Sequence, residues 1–153
     1  MKRIGIAVVS AVLAFGAPAL AAEDAVLEPI HGFIQASNAN DLTHLSKYFT
    51  ATPSLVDEFA PYHWSGPGAV QAWASGIAAA SKQGMTDALL DYGPPRLIQH
   101  QGRHAYVVAP CTVSFKMKGK AQRETGVLTF ALDRTSRGWR IAAMAWSGSP
   151  TPS

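Results

Sequence analysis

Hydrophobic positions change period partway along this chain. In "VLEPIHGFIQASN", Ile30, Phe33 and Ile34 recur at helical spacing, and Asn38 to Asn40 end the run. Pro29 suits a helix there if it falls in the first turn, where its missing N–H costs nothing. The next segment, "LTHLSKYF", sets Leu42, Leu45 and Phe49 on one face, with Asp41 as its expected N-cap. A third helix is predicted from the turn at Ser65 to Gly68, with Pro67 in its first turn, through Val70, Trp73 and Ile77 to the stop at Lys82, Gln83 and Gly84. Between the second and third helices a short strand is expected around Leu55 to Phe59.

Beyond Thr86 the period becomes two. In "RHAYVVAPCTVSFKM" the set Ala105, Val107, Ala109, Cys111, Val113, Phe115 and Met117 is wholly apolar, whereas the alternate set is mixed. Lys118 to Lys120 read as a hairpin tip. Gly126, Leu128, Phe130 and Leu132 then alternate with Val127, Thr129, Ala131 and Asp133, and a last strand, "WRIAAMAW", follows the turn "RTSRG". Helices followed by strands, without regular alternation, predict an α+β domain with a curved antiparallel sheet wrapped around three N-terminal helices.

The two ends fall outside that pattern. Lys2 and Arg3 precede an apolar run from Ile4 to Phe15, and Ala19-Leu20-Ala21 follows as a small-residue site. That order predicts a signal peptide over residues 1–21, a mature domain over 22–147, and a periplasmic or secreted bacterial protein. Gly16 and Pro18 interrupt the run before it reaches spanning length, so no stable membrane anchor is expected after cleavage. The "SGSPTPS" end, residues 148–153, has the composition of a disordered tail.

Composition changes the picture only modestly. The 153 residues are 48% hydrophobic, enough for one domain with a real core. The formal charge of +3 falls once Lys2 and Arg3 leave, since 11 bases then face 10 acids for a net of +1. Such a balance gives no support to an anionic partner. Lys116, Lys118, Lys120 and Arg123 make a basic hairpin without interleaved aromatics, so no nucleic-acid partner is expected. The single cysteine, Cys111, excludes an internal disulfide and reads as a small buried hydrophobe. His100 and His104 flank a turn rather than sit one helical turn apart, and no metal site or other cofactor is expected.

Three stretches resemble a known group: "NANDL" at 38 to 42, "VDEFAPYHWSGPGAV" at 56 to 70, and "CTVSFKMKG" at 111 to 119. With the order of elements they look like the nuclear transport factor 2-like superfamily, and within it the SnoaL-like and ketosteroid isomerase-like proteins, over about residues 25–147. The resemblance implies a cone with an apolar pocket at its open end, used by different members for isomerisation, cyclisation, dehydration or binding. It also implies particular positions. Asp57, eight residues before Ser65, falls where the isomerases carry their general base. Phe33 and Leu128 fall where those enzymes carry their two oxyanion donors, and neither can donate a hydrogen bond. One such donor is typically worth about a hundred- to a thousand-fold in rate, so steroid isomerisation by that mechanism is rejected.

The candidate site follows from these positions. Asp57 and His63 are the candidate acid/base residues, with Glu58 expected to be solvated. Phe33, Asp57, Tyr62, Trp64, Cys111, Val113, Phe115 and Leu128 are the expected ligand contacts, Tyr62 and Trp64 at the rim. His31 reads as a helix-edge residue, His44 as surface, and Trp73 as core. The expected partner is a small hydrophobic molecule. An acid/base isomerase, cyclase or dehydratase and a dimeric interaction module are the alternatives. The apolar outer sheet face, with Tyr106, Val108 and Pro110 beside Val127, Thr129 and Ala131, makes a homodimer the further expectation.

Overall fold

The computed structural model describes residues 17–150. The expected cleavage motif at Ala19 to Ala21 lies within the first helix, and the basic and apolar parts of the expected signal lie outside the described residues. No helix among the described residues is long and apolar enough to cross a membrane.

Helix α1 spans Ala17–Asn38 and buries Val26, Ile30, Phe33 and Ile34, the stripe that the helical period predicts. Pro29 therefore sits inside the helix and not in its first turn, because the helix begins well before the apolar stripe does. A 3-10 helix, Leu42–Tyr48, buries Leu45. Asp41 precedes it but makes no side-chain cap: its carboxylate turns to His44 Nδ1 at 2.7 Å and to Thr43 Oγ1 at 3.3 Å. Strand β1 runs from Phe49 to Val56, and β2, His63–Ser65, returns antiparallel to it. Helix α2 spans Ala69–Lys82. It starts after Pro67, behind Gly68 at φ 82°, a left-handed conformation that favours glycine at this position.

The remaining strands are β3 (Met85–Tyr92), β4 (Leu97–Gln101), β5 (His104–Met117), β6 (Lys120–Thr135) and β7 (Gly138–Pro150). They form one curved, unclosed sheet in the order β2-β1-β7-β6-β5-β3, with β4 beside β5. The pairing is antiparallel except that β1 lies parallel to β7, so the sheet is mixed where an antiparallel one was expected. Lys118 and Gly119 both have positive φ and form the tight β5–β6 turn. Pro110, which could have marked a bulge, keeps its register opposite Val127. It sits where the neighbouring edge changes from β4 to β3, so its missing N–H falls where the ladder is already interrupted. Strand β7 continues through Gly148 to Pro150, which brings the start of the expected tail into the sheet.

The sheet wraps the helices around an aromatic core. Phe33 meets Phe49 edge-on at 5.5 Å and contacts Trp73 and Phe130 at 6.0 and 6.4 Å. Each such fully buried side chain contributes about 1.5–3 kcal/mol. Asn38, expected only to end α1, also ties the helix to the sheet edge. Its Nδ2 donates to Leu90 O at 2.9 Å, and Leu90 N donates to its Oδ1 at 2.8 Å. This pair satisfies backbone groups on β3, at one edge of the sheet.

Candidate acid/base site at the open end of the sheet

Strand alternation decides what the concave face presents. On β5 the inward set grows less buried along the chain, from Ala109 and Cys111, which are buried, to Val113 and Phe115, which are half-buried. The concave face therefore opens towards the β5–β6 turn. Across the ladder, Cys111 pairs with Gly126 and with Tyr92, and Val113 pairs with Glu124. Glu124 shares its face of β6 with the buried Leu128 and Phe130, so it is an acid on the concave side near the opening. On β7, Trp146 is buried and its indole lies over Gly148, where a Cβ would overlap the ring.

Asp57 leaves the end of β1, just beyond Val56 and outside the strand in which it was expected. Its Oδ2 accepts the Trp73 indole N–H at 2.8 Å, and its Oδ1 accepts the Glu58 backbone N–H at 2.7 Å. Trp73 in turn packs on Phe33, which links Asp57 to the core and to α1. Burial raises the Asp57 pKa above the ordinary value for an aspartate, and the two donors only partly oppose that rise. The carboxyl is thus fixed in direction and made more basic, which suits a group that takes up or anchors a proton.

Glu58 is exposed, as expected, yet its carboxyl does not stand alone in water. It hydrogen-bonds Glu124, and this contact is the largest cause that pushes Glu124 up to about 7, followed by burial and by the charges of Glu58 and Asp57. Two carboxyl groups in contact cannot both ionise cheaply, so Glu124 keeps its proton to a higher pH than a free glutamate does. Glu124 was not among the expected site residues. Its even spacing from Leu128 and Phe130 was the signal that could have found it.

Tyr92 is the second residue that sequence reasoning passes over. Its hydroxyl is buried with no hydrogen-bond partner among the described residues, and its ring contacts Phe130 and His31 at 6.5 and 5.9 Å. Burial, with a smaller effect from Cys111, pushes its pKa up to about 12, so it stays a neutral O–H donor.

The other expected site residues separate into two groups. Val113 and Phe115 lie at the opening. Phe33, Cys111 and Leu128 lie deeper, in the closed core, with exposures of 1, 3 and 2%. The buried Cys111 thiol is pushed up to about 11 and is no nucleophile at neutral pH. Trp64 is buried against Phe59, with ring centroids 5.0 Å apart, so it packs inside and not at the rim. Tyr62 is 60% exposed at φ 70°, and its carbonyl accepts the Asp57 N–H. His63 is engaged by its own hairpin: its Nε2 bonds Ser54 Oγ at 3.0 Å across the β1–β2 pair. His44 is exposed beside Asp41, and His104 pairs with Asp133 at 2.8 Å. No group of three or more His, Cys, Asp or Glu side chains among the described residues is arranged to hold a metal ion.

Comparison with known proteins fits this architecture. The SnoaL-like domain family matches residues 26–152, and the chain belongs to that family, within the nuclear transport factor 2-like superfamily. A nuclear transport factor 2-like superfamily protein from Salmonella enterica is similar in structure with a TM-score of 0.69 at 20% identity, over 88% of this chain and 96% of that one. A putative scytalone dehydratase from Novosphingobium aromaticivorans gives 0.72 at 10% identity, over 86% of both chains. A ketosteroid isomerase-like protein from Erwinia carotovora gives 0.68 at 16% identity, over 85% of this chain and 97% of that one. At these identities the likeness concerns the fold. A comparison with curated proteins found no match.

Proposed function

We propose that this chain is an exported SnoaL-like domain that binds a small, mainly hydrophobic molecule at the open end of its concave sheet face. The observation that carries this reading is the Tyr92 hydroxyl. A buried hydroxyl without a partner costs roughly 1–3 kcal/mol, and a ligand that hydrogen-bonds it would remove that cost. Around it the face is apolar, and Asp57 and Glu124 stand where the face opens, which is the composition of a small-molecule site. Export rests on the order of basic, apolar and small residues at the N-terminus. Native mass spectrometry of the protein recovered from its own periplasm tests both parts. A mature chain beginning at Ala22 and carrying extra, organic-extractable mass is expected. A full-length chain or an empty one would defeat the corresponding part.

A second reading, acid/base catalysis, is favoured by the same groups. Asp57 is held by Trp73 with a raised pKa, Glu124 is poised near neutrality, and Tyr92 offers the neutral donor that Phe33 and Leu128 cannot. Such a set could move a proton on a bound carbonyl or hydroxyl compound. Two of the structurally similar proteins are called dehydratase and isomerase-like, which agrees with this reading without deciding it. We also propose that a second copy covers the outer sheet face, where Tyr106 is 42% exposed beside half-buried Val108, Val127 and Ala131. Light scattering over a dilution series should give a dimer that Val108→Lys dissociates; a monomer at every concentration would exclude it.

A further inference from the structure

A separate concavity, a groove of about 680 Å³, lies between α1, the 3-10 helix and β7. It shares no residue with the Asp57 end of the sheet. Its volume falls within the roughly 300–1,000 Å³ usual for small-molecule sites. One wall is the outer stripe of α1, where Asp24 and Glu28 stand one helical turn apart. Lys47 and Arg140 line the same groove from the 3-10 helix and from β7. Tyr48 forms its floor against Gly32, where any Cβ would overlap the tyrosine ring.

The charges of this groove are not spent on one another. Among the described residues the ion pairs are Asp41 with His44, Asp133 with His104 and Asp87 with Lys116, so no acid of the groove pairs with either of its cations. Lys47 is held 5.0 Å over the Tyr48 ring, a contact that positions the ammonium without neutralising it. Arg140 donates from Nη1 to the Trp139 carbonyl at 2.6 Å, while its Nε is buried with no partner. A buried guanidinium N–H without an acceptor is costly, and a carboxylate is the acceptor that fits its fork.

We propose that this groove binds a small zwitterion, its ammonium towards Asp24 and Glu28 and its carboxylate towards Lys47 and Arg140. The two acids and two cations line the groove without meeting, which calls for a molecule whose own charges are separated. A dipeptide has that form, since two extended residues set its termini roughly 7 Å apart. A simple anion would meet Asp24 and Glu28, and a simple cation would meet Lys47 and Arg140. The zwitterion alone satisfies both kinds of group.

Calorimetric titration of the purified protein with L-alanyl-L-alanine tests this directly. Saturable binding is expected, weakened on the order of tenfold when the peptide is N-acetylated or C-amidated, since each change removes one charge-assisted contact. Glu28→Gln and Lys47→Gln change exposed side chains and should fold normally. Glu28→Gln should weaken the free dipeptide but leave the N-acetylated form unchanged, and Lys47→Gln should do the same with the C-amidated form. Absence of saturable heat, or equal binding of free and doubly blocked peptide, would overturn the proposal. So would variants that weaken every peptide alike.

Discussion

Asp57 and Asp41 each share a short hydrogen bond with a ring nitrogen, at 2.8 Å from Trp73 and 2.7 Å from His44, yet their carboxyls are shifted in opposite directions. Asp57 is raised because burial outweighs its two donors. Asp41 is lowered because its His44 hydrogen bond, the largest effect, outweighs a smaller cost of desolvation. The balance between partner and burial decides which acid is available to take up a proton: burial prevails at Asp57, the hydrogen-bond partner at Asp41. The end of β1 supplies that setting by carrying Asp57 off the strand onto α2 and the core, while Asp41 stays on an exposed corner.

The comparison can be broken most forcefully at Trp73. Trp73→Phe keeps an aromatic ring against Phe33 but leaves Asp57 Oδ2 without its donor. The expected loss is about 2–4 kcal/mol, combining a charge-assisted hydrogen bond with the space left by the smaller ring. Urea unfolding at neutral and acid pH should show a smaller loss where Asp57 is protonated. An equal loss at both would mean that the indole acts by packing alone.

A smaller effect is expected at Glu124. A carboxyl whose folded pKa is raised from 4.5 to about 7 contributes stability that is complete below 4.5 and is lost as pH rises towards about 7. Glu124→Gln should remove that dependence, so the stability of the native protein relative to the variant should fall across this window. Solvent screening keeps the change below about 1 kcal/mol. Glu58→Gln should lower the Glu124 midpoint, because it removes the main cause of the rise. Chemical shifts of the glutamate carboxyl carbons would follow both.

Asp41→Asn should have the least effect, and of the opposite sign. Its lowered pKa adds stability that is present above 3.8 and lost as pH falls. Acid unfolding of the variant should differ from that of the native chain only by the loss of this contribution.

How legible each part was in the sequence follows the same physics. The buried stripe of α1 and the long alternating strands β5 and β6 show their periods because one face of each meets the core. Strand β3 does not: Thr86 to Leu89 are exposed, and the register shifts between Thr86 and Leu89. Nothing in its pattern records the Asn38 pair that holds it. The parallel β1–β7 pairing joins strands from the two ends of the domain, and local pattern carries no register between them. Asp57 drew attention because its neighbours resemble a family motif. Glu124 and Tyr92 did not, because their settings depend on which strands lie beside them. Rim positions fared worst, since the inward turn of Trp64 depends on the short β2 strand.

The central claim, that the concave face holds a place for a ligand, meets its most direct test at Tyr92. Urea unfolding of the ligand-free protein and of Tyr92→Phe would tell a hydroxyl waiting for a partner from one that already has one. The account predicts that the variant is at least as stable as the native chain, by up to about 1–3 kcal/mol, because it deletes an unsatisfied buried group. A clear loss of stability on removing the hydroxyl would show that it is already hydrogen-bonded in the folded chain, and would contradict the site.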